Sequence, residues 1–334
     1  MSQDNPPVAS VIVPALNAAG VLPACLGALR DQMQPHPGFE VIVVDDGSSD
    51  DTSNVAERLG ARAERIPHTG RAAARNHGAK TARGPLLLFT DADCVPAPDW
   101  VTQMAAPFAD PSVAGARGVY RTRQRSLVAR FVQLEYEDKY RPLQPLQDID
   151  FVDTYSAAYR RDVFLEHGGF DPTMQWDEDQ ELSFRLANRG LRLVFAPEAA
   201  VYHQHPTSLP AYIRKKFGTG YWKAAVILTH PNKLARDTHT PPSQRAQLLL
   251  LYSTLALCIP ALFGAISFWF PAGAAVALTV TMLPFAWRAA RKNIAVALIS
   301  PALLWARTVG LGAGFALGLL WFLPRKFLGR SARP

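Results

Sequence analysis

Between residues 246 and 334 the chain contains no aspartate and no glutamate. Eight of its 35 lysines and arginines lie there, so residues 1–245 hold 27 basic side chains against all 28 acidic ones, and the net charge of +7 belongs wholly to the C-terminal part. A nucleic-acid binder carries its positive field on the folded domain. Here the basic residues flank apolar runs, which suits anionic lipid headgroups and argues against nucleic acid as a partner. Cysteine is scarce as well. The three at Cys25, Cys94 and Cys258 have neither metal-ligand nor redox spacing, and an odd number argues against a disulfide framework, so a reducing compartment is expected. No cleavable signal peptide is expected: "MSQDNPPVASVIVP" puts Asp4 and prolines where a basic n-region would stand, and its apolar run is short. The N-terminal domain is therefore expected to stay cytoplasmic. Charged residues make up 19% against 49% hydrophobic, which excludes a disordered chain and is low for a freely soluble one. There is no internal repeat and no low-complexity linker. A length of 334 residues allows one large domain or two ordinary ones.

What the first half does contain is an alternation of apolar β-type runs with helical patterns, the signature of a mostly parallel, Rossmann-like α/β sheet. "SVIVPAL" reads as the first strand, and "VLPACLGALRDQ" as a helix with Val21, Leu22, Cys25 and Leu29 on one face. "FEVIVVDD" is the second strand, and the turn-and-cap cluster "GSSDDT" starts a helix running to Leu59. "RAAARNHGAKTAR" gives a third helix, followed by the strand in "LLLFTDADCV". From Asp99 to about Pro210 the pattern is mixed. "SLVARFVQLEYEDKY" has helical spacing, and "DTYSAAYRRDVF" and "LRLVFAPEAAVYH" bracket a helix starting near Asp177.

The remainder reads as membrane. Residues 246–287 carry no charge, about twice the length that a ~30 Å hydrocarbon core requires at ~1.5 Å per residue, with Pro271 and Gly273 marking the turn between two crossings. A further apolar run, residues 294–323, is interrupted by Arg307 and has Gly310, Gly314 and Gly318 at four-residue spacing, a stripe that lets helices approach closely. Both "RAARKN" before it and "RKFLGR" after it are basic, and the positive-inside rule wants both cytoplasmic. This third segment is either re-entrant or interfacial, or an ordinary crossing that strains the rule.

In open α/β sheets ligands sit outside the carboxyl ends of the strands, and acids recur there: Asp45 and Asp46 end the second strand, Asp91 and Asp93 the fourth. Clustered carboxylates repel unless a cation or hydrogen-bond donors compensate. A hard divalent cation completes its shell with substrate phosphates, so a D-x-D at a sheet edge suggests a metal–diphosphate site; taken alone, the same acids also suit a solvated turn or cap. Arg71 and Arg75 stand on a helix that should lie near this edge. Asp177 suits the N-cap of the following helix, with Leu182 and Leu186 facing inward and Glu178 and Asp179 near its positive end.

The ordered set "SVIVPALN", "VIVVDDGSSDDT", "GRAAARNHGA", "FTDADC" and "GGFD…WDEDQELSFRLANRG", spanning roughly Ser10 to His205, resembles the successive blocks of the family 2 inverting glycosyltransferases. The resemblance implies a GT-A fold, a nucleotide-diphosphate sugar donor and Mn²⁺ or Mg²⁺. It implies that Asp46 and Asp45, with Asn17 nearby, bind the nucleoside, and that Asp93 ligates the metal. Asp91 would hold the ribose or a metal-bound water, and His203 would be a further metal ligand with His205 behind it. Asp179, with Glu178 beside it, would be the base that takes the acceptor hydroxyl's proton.

"AYIRKKFGTGYWKAAVIL" mixes Tyr212, Phe217, Tyr221 and Trp222 with Arg214, Lys215, Lys216 and Lys223, which suits a helix in the headgroup layer or one that grips a lipid phosphate. The expected layout is a catalytic domain over residues 1–210, an interfacial amphipathic linker over 211–245, and a transmembrane helical region of two to three segments over 246–334. The expected protein is a multi-pass inner-membrane enzyme that moves a sugar from a UDP- or GDP-sugar to a membrane lipid or polyprenyl-phosphate acceptor. A processive polysaccharide synthase is the nearest alternative, weakened because no "QxxRW" string is present; a non-catalytic membrane protein with a degenerate nucleotide fold is the other. Pattern alone sets no oligomeric state.

Overall fold

The computed structural model describes residues 7–32 and 38–327, so the opening stretch that bears on a signal peptide and the end of "RKFLGR" lie outside the described residues. The chain forms two compact units, residues 1–123 with 140–204 and residues 124–139 with 205–334.

The first unit runs β1 (Ala9–Ala15), α1 (Leu22–Arg30), β2 (Phe39–Asp45), α2 (Thr52–Arg58), β3 (Arg62–Arg65), α3 (Arg71–Thr81), β4 (Leu86–Phe89), β5 (Val95–Pro96), α4 (Trp100–Ala105) and β6 (Val113–Arg121). The helix α5 (Leu127–Tyr140) belongs to the second unit up to residue 139. The first unit then resumes with β7 (Ala157–Arg160), α6 (Arg161–Glu166), α7 (Glu178–Asn188) and β8 (Arg192–Tyr202). Its eight strands form one sheet in the order β3-β2-β1-β4-β7-β6-β8-β5. The β3-β2-β1-β4 half is parallel, as is the β6–β8 pair; β7 runs antiparallel between β4 and β6, and β5 antiparallel on β8. The order reverses direction beside β1, where β2 leaves on one side and β4 on the other, which is where a parallel sheet opens a ligand crevice.

Apolar runs set the strands. Val11, Ile12 and Val13 of β1 and Ile42, Val43 and Val44 of β2 are wholly buried, as expected for strands covered on both faces. Gly78 lets α3 lie against β1, since a Cβ there would stand 2.6 Å from Ile12 Cγ2. Two details differ from the sequence pattern. Val21 precedes α1 and is 42% exposed, so the buried face of that helix is Leu22, Cys25, Leu26 and Leu29. The short edge strand β3, "RAER", has too few apolar residues to announce itself.

The second unit holds α5 up to residue 139, α8 (Leu209–Thr229), α9 (Pro242–Leu262), α10 (Trp269–Val280), α11 (Leu283–Ala290) and α12 (Ile294–Phe327). Among the described residues three stretches, residues 242–262, 269–290 and 294–327, are long and apolar enough to cross a membrane. The turn expected at Pro271 and Gly273 lies earlier, over residues 263–268, with Gly264 at φ 70°. Pro271 is instead in the first turn of α10, where its missing N–H costs nothing.

Arg307 does not interrupt its segment, because α12 is one helix of 34 residues. Gly310, Gly314 and Gly318 seat α8 on it. A Cβ at Gly314 would overlap the carbonyl oxygen of Phe217, one at Gly318 that of Tyr221, and one at Gly310 would touch that of Ile213 at 3.4 Å. Thus α8 is a helix packed along α12.

Candidate active site

The two acids ending β2 hold the loops around the crevice. Asp45 is buried; its Oδ1 accepts from the Ser48 backbone N–H at 2.8 Å and its Oδ2 from the Ser53 hydroxyl. Burial works to raise its pKa, but these Ser48 and Ser53 hydrogen bonds hold it below the ordinary range. Asp46, also buried, accepts from the backbone N–H groups of Thr69 at 2.7 Å and Gly70 at 2.9 Å, and its Oδ2 lies 2.9 Å from His68 Nδ1. Asn17, exposed and at φ 50°, joins the first loop: its Oδ1 accepts from the Ser49 N–H at 2.9 Å. Asp45, Asp46 and Asn17 are thus brought to one edge, with both carboxylates engaged by the chain's own loops.

Four of the expected residues meet in a single charge bridge. The buried Arg75 guanidinium lies between Glu178, with Nη1 2.7 Å from Oε1, and Asp91, with Nη2 2.6 Å from Oδ1. Arg71 adds its Nε at 3.3 Å from the same Glu178 oxygen and stacks over Trp176. Burial of Arg75 disfavours its charge, and the Asp91 and Glu178 carboxylates more than restore it. This bridge links the end of β4 to the start of α7, elements about ninety residues apart in the chain.

Asp179 faces a different environment. Its Oδ1 accepts from the Gln180 N–H at 2.8 Å and its Oδ2 from the Thr154 N–H at 3.4 Å. Burial, followed by the carboxylates of Glu178, Asp153 and Asp177, pushes its pKa well above the usual aspartate range, with Arg75 opposing. Asp177 occupies the N-cap position, but at φ 60° in the left-handed region and with no side-chain hydrogen bond to the helix. Leu182 and Leu186 face inward, fully buried.

Asp93 lies nearly half-exposed beside His203, whose Nε2 is 3.4 Å from Oδ2. Tyr120 stacks against the His203 ring at 4.6 Å. Among the described residues, Asp93, Cys94 and His203 form the group whose donor atoms lie within 4.8 Å of one another. Asp91 is outside that group, and so is His205, which is buried in the second unit with its Nε2 3.0 Å from Gln133 Oε1. A carboxylate and an imidazole side by side and partly exposed fit a divalent cation of Mn²⁺ type, with coordination positions left over for water and phosphate. The Cys94 thiol fits less well, because it is buried and a soft sulfur donor suits such a hard cation poorly.

Two charged residues beside Asp179 have no counterpart in the sequence reading. Arg117, buried on β6, pairs with Asp153 and lies over the rings of Phe151 and Tyr140 at 4.9 and 5.4 Å. Asp153 in turn accepts from the Tyr155 hydroxyl at 2.8 Å. The available signal was an arginine at an inward position of a strand, between Gly115 and Val119.

Residues 10–168 match the family model described as glycosyl transferase family 2. The chain is 33% identical over 238 residues to the pre-mycofactocin glycosyltransferase of Mycobacterium tuberculosis, covering 68% of this chain and 49% of that protein. It is 28% identical over 225 residues to glycosyltransferase AglE of Haloferax volcanii, covering 64% of this chain and 72% of that protein. It spans about half the length of the mycobacterial relative. Among solved structures, the mannosyltransferase PcManGT of Pyrobaculum calidifontis, determined with GDP-Man and Mn²⁺, matches with a TM-score of 0.61 and 21% identity, covering 95% of this chain and 88% of that one. The fold of the first unit is GT-A, followed by helices able to span a membrane.

Proposed function

We propose that this chain, whose residues 10–168 belong to glycosyl transferase family 2, transfers one sugar with inversion from a nucleotide-diphosphate sugar to an acceptor at the cytoplasmic face of the inner membrane. The carrying observation is the Asp91–Arg75–Glu178 bridge, which ties the acids at the sheet edge to the block that holds Asp179. The nucleoside end of a UDP- or GDP-sugar is assigned to the edge carrying Asn17, Asp45 and Asp46. Arg71, Arg75 and Asp91 are assigned to the diphosphate and ribose side.

Asp93 and His203 would hold Mn²⁺ or Mg²⁺, with Asp91 beside them; when bound, the cation neutralises charge that builds on the departing diphosphate. Asp179 is the base. As the acceptor oxygen bonds to the anomeric carbon from the face opposite the diphosphate, the bond to the diphosphate oxygen breaks, and Asp179 takes the acceptor's hydroxyl proton. A raised pKa suits this role, since a weakly basic carboxylate accepts such a proton less readily. The three apolar helical stretches favour a lipid or polyprenyl-phosphate acceptor. A phosphate acceptor is already ionised and needs no base, so Asp179→Asn separates the two: activity lost indicates a hydroxyl acceptor, activity kept an ionised one.

The test is calorimetric titration of the detergent-purified chain with UDP and GDP, with and without Mn²⁺, beside Asp93→Asn. Metal-dependent binding of one nucleotide, lost in the variant, is the expected result. Binding of neither nucleotide with any metal would sink the reading.

A further inference from the structure

Three consecutive residues of the first unit, Asp153, Thr154 and Tyr155, connect Asp179 with the metal side of the site. The Thr154 N–H donates to Asp179 Oδ2 at 3.4 Å. Asp153 forms a buried ion pair with Arg117; burial disfavours the Arg117 charge, and this carboxylate more than restores it. Tyr155 lays its ring on Tyr120, with centroids 3.3 Å apart and planes 16° from parallel. Tyr120 in turn lies against the His203 imidazole at 4.6 Å and 30°. A stack of two phenol rings thus backs the histidine.

The stack is tied down at its far end. The Tyr120 N–H donates to the Tyr140 hydroxyl at 2.9 Å, the Tyr140 and Tyr155 hydroxyls are 2.9 Å apart, and the Tyr155 hydroxyl donates to Asp153 Oδ2 at 2.8 Å. With one proton per hydroxyl, a single direction satisfies all three bonds: Tyr140 donates to Tyr155, and the run ends on the Asp153 carboxylate. Arg117 closes it, pairing with Asp153 and lying over the Tyr140 ring at 5.4 Å. Tyr120, Tyr140, Tyr155 and Arg117 are each at most 6% exposed, so the run is shielded from water.

His203 is a side chain that needs such a support. It follows β8, and its N–H donates to the Arg121 carbonyl at 2.9 Å, so its backbone continues the β6–β8 pairing that sets Tyr120 opposite Val201. The backbone fixes where the imidazole starts, while its two side-chain torsions decide where Nε2 points. Packing against another ring removes most of that freedom, and a ligating histidine depends on such outer contacts for its orientation. Here the orientation brings Nε2 to 3.4 Å from Asp93 Oδ2.

We propose that Tyr120 and Tyr155 are positioning residues for the cation site: their stack, anchored through the Tyr155 and Tyr140 hydroxyls on the Arg117–Asp153 pair, holds the His203 imidazole with Nε2 toward Asp93. This role rests on Asp93 and His203 being the cation's ligands. Because Thr154 belongs to the same segment, the base and the cation side share one frame.

Electron paramagnetic resonance of free Mn²⁺, titrated against the detergent-purified full chain, tests this without any transfer assay. Tyr120→Leu, which takes the ring away from the imidazole, should weaken Mn²⁺ binding about 10- to 100-fold. Tyr120→Phe, which keeps the ring, should bind as the parent does. Tyr155→Phe, which keeps the stack and cuts its tie to Asp153, should weaken binding severalfold and carries the test if Tyr120→Leu does not fold. A merely structural role would lower the metal-free melting temperature and leave the Mn²⁺ affinity of the folded chain unmoved. Parent-like affinity in Tyr120→Leu or in Tyr155→Phe would therefore overturn the positioning role. Mn²⁺ binding that survives His203→Ala, or no binding by the parent, would instead overturn the cation site itself, so the two failures are told apart.

Discussion

Asp179 binds its proton more tightly than an ordinary aspartate because burial and three neighbouring carboxylates oppose its charge. The consequence for folding has a definite sign. A carboxyl whose folded pKa is raised holds more protons in the native state, so its stabilising contribution is complete below the ordinary aspartate value and is lost as pH rises through the raised one. Asp179→Asn removes that loss. The variant should melt a few degrees higher than the parent at pH 7 to 8 and no higher near pH 3, while transfer to a hydroxyl acceptor falls roughly 10²- to 10⁴-fold. A lower melting temperature at neutral pH would contradict the ionised, crowded carboxylate. Arg75 is the converse case. Arg75→Met strands Asp91 and the buried Glu178 without their cation, and should cost about 3–5 kcal/mol in stability, read by thermal or denaturant unfolding. At this scale the positions of the D-x-D pair and the "DED" block were legible as acids at strand and helix ends, while their assignment to metal, nucleotide or base came from the family resemblance. Arg117 and Asp153 were not legible, because a single charge inside an apolar stretch finds its partner only through the sheet, which brings β6 next to β7.

The helices show what local pattern can and cannot settle. β1 and β2 stand out as apolar runs because they are buried over most of their length, whereas α3 and α7 bury Arg75, Glu178, Gln180 and Ser183 beside their apolar residues and are less legible from hydrophobic spacing. The turn between α9 and α10 escaped, because proline and glycine inside α10 look like breakers although a first-turn proline breaks nothing. Two glycines turn this into a measurement. Gly273 in α10 has open space around its Cβ position, so Gly273→Ala should raise stability by about 0.5–1 kcal/mol. Gly314 in α12 has the Phe217 carbonyl where a Cβ would go, so Gly314→Ala should force α8 off its seat and lower the melting temperature. Equal effects of the two substitutions in detergent would show that α8 and α12 are not in backbone contact.

For the molecule as a whole, the open matter is the third apolar segment, and the packing of α8 bears on it. Ile213, Phe217 and Tyr221 advance beside Gly310, Gly314 and Gly318, so α8 runs parallel to the second half of α12, ending where Lys326 donates to the Leu228 carbonyl. Were that half of α12 to cross a bilayer, it would draw Arg214, Lys215 and Lys223 of α8 toward the hydrocarbon, at about 2.5–3.5 kcal/mol for each charge near its centre. At ~1.5 Å per residue the 34 residues of α12 exceed a ~30 Å core, and 44% of its apolar window is buried in protein, against 17% for α9. A hairpin of two crossings, α9 and α10–α11, with α12 returning along the interface, places both basic stretches on one face as the positive-inside rule requires. Single cysteines in a Cys258→Ala background, with Cys25 and Cys94 buried, can read this with a membrane-impermeant maleimide on sealed vesicles. Trp269→Cys should label from one side, and Arg291→Cys and Arg325→Cys both from the other. Labelling of Arg325→Cys together with Trp269→Cys would make α12 a third crossing and would require α8 to be carried across with it.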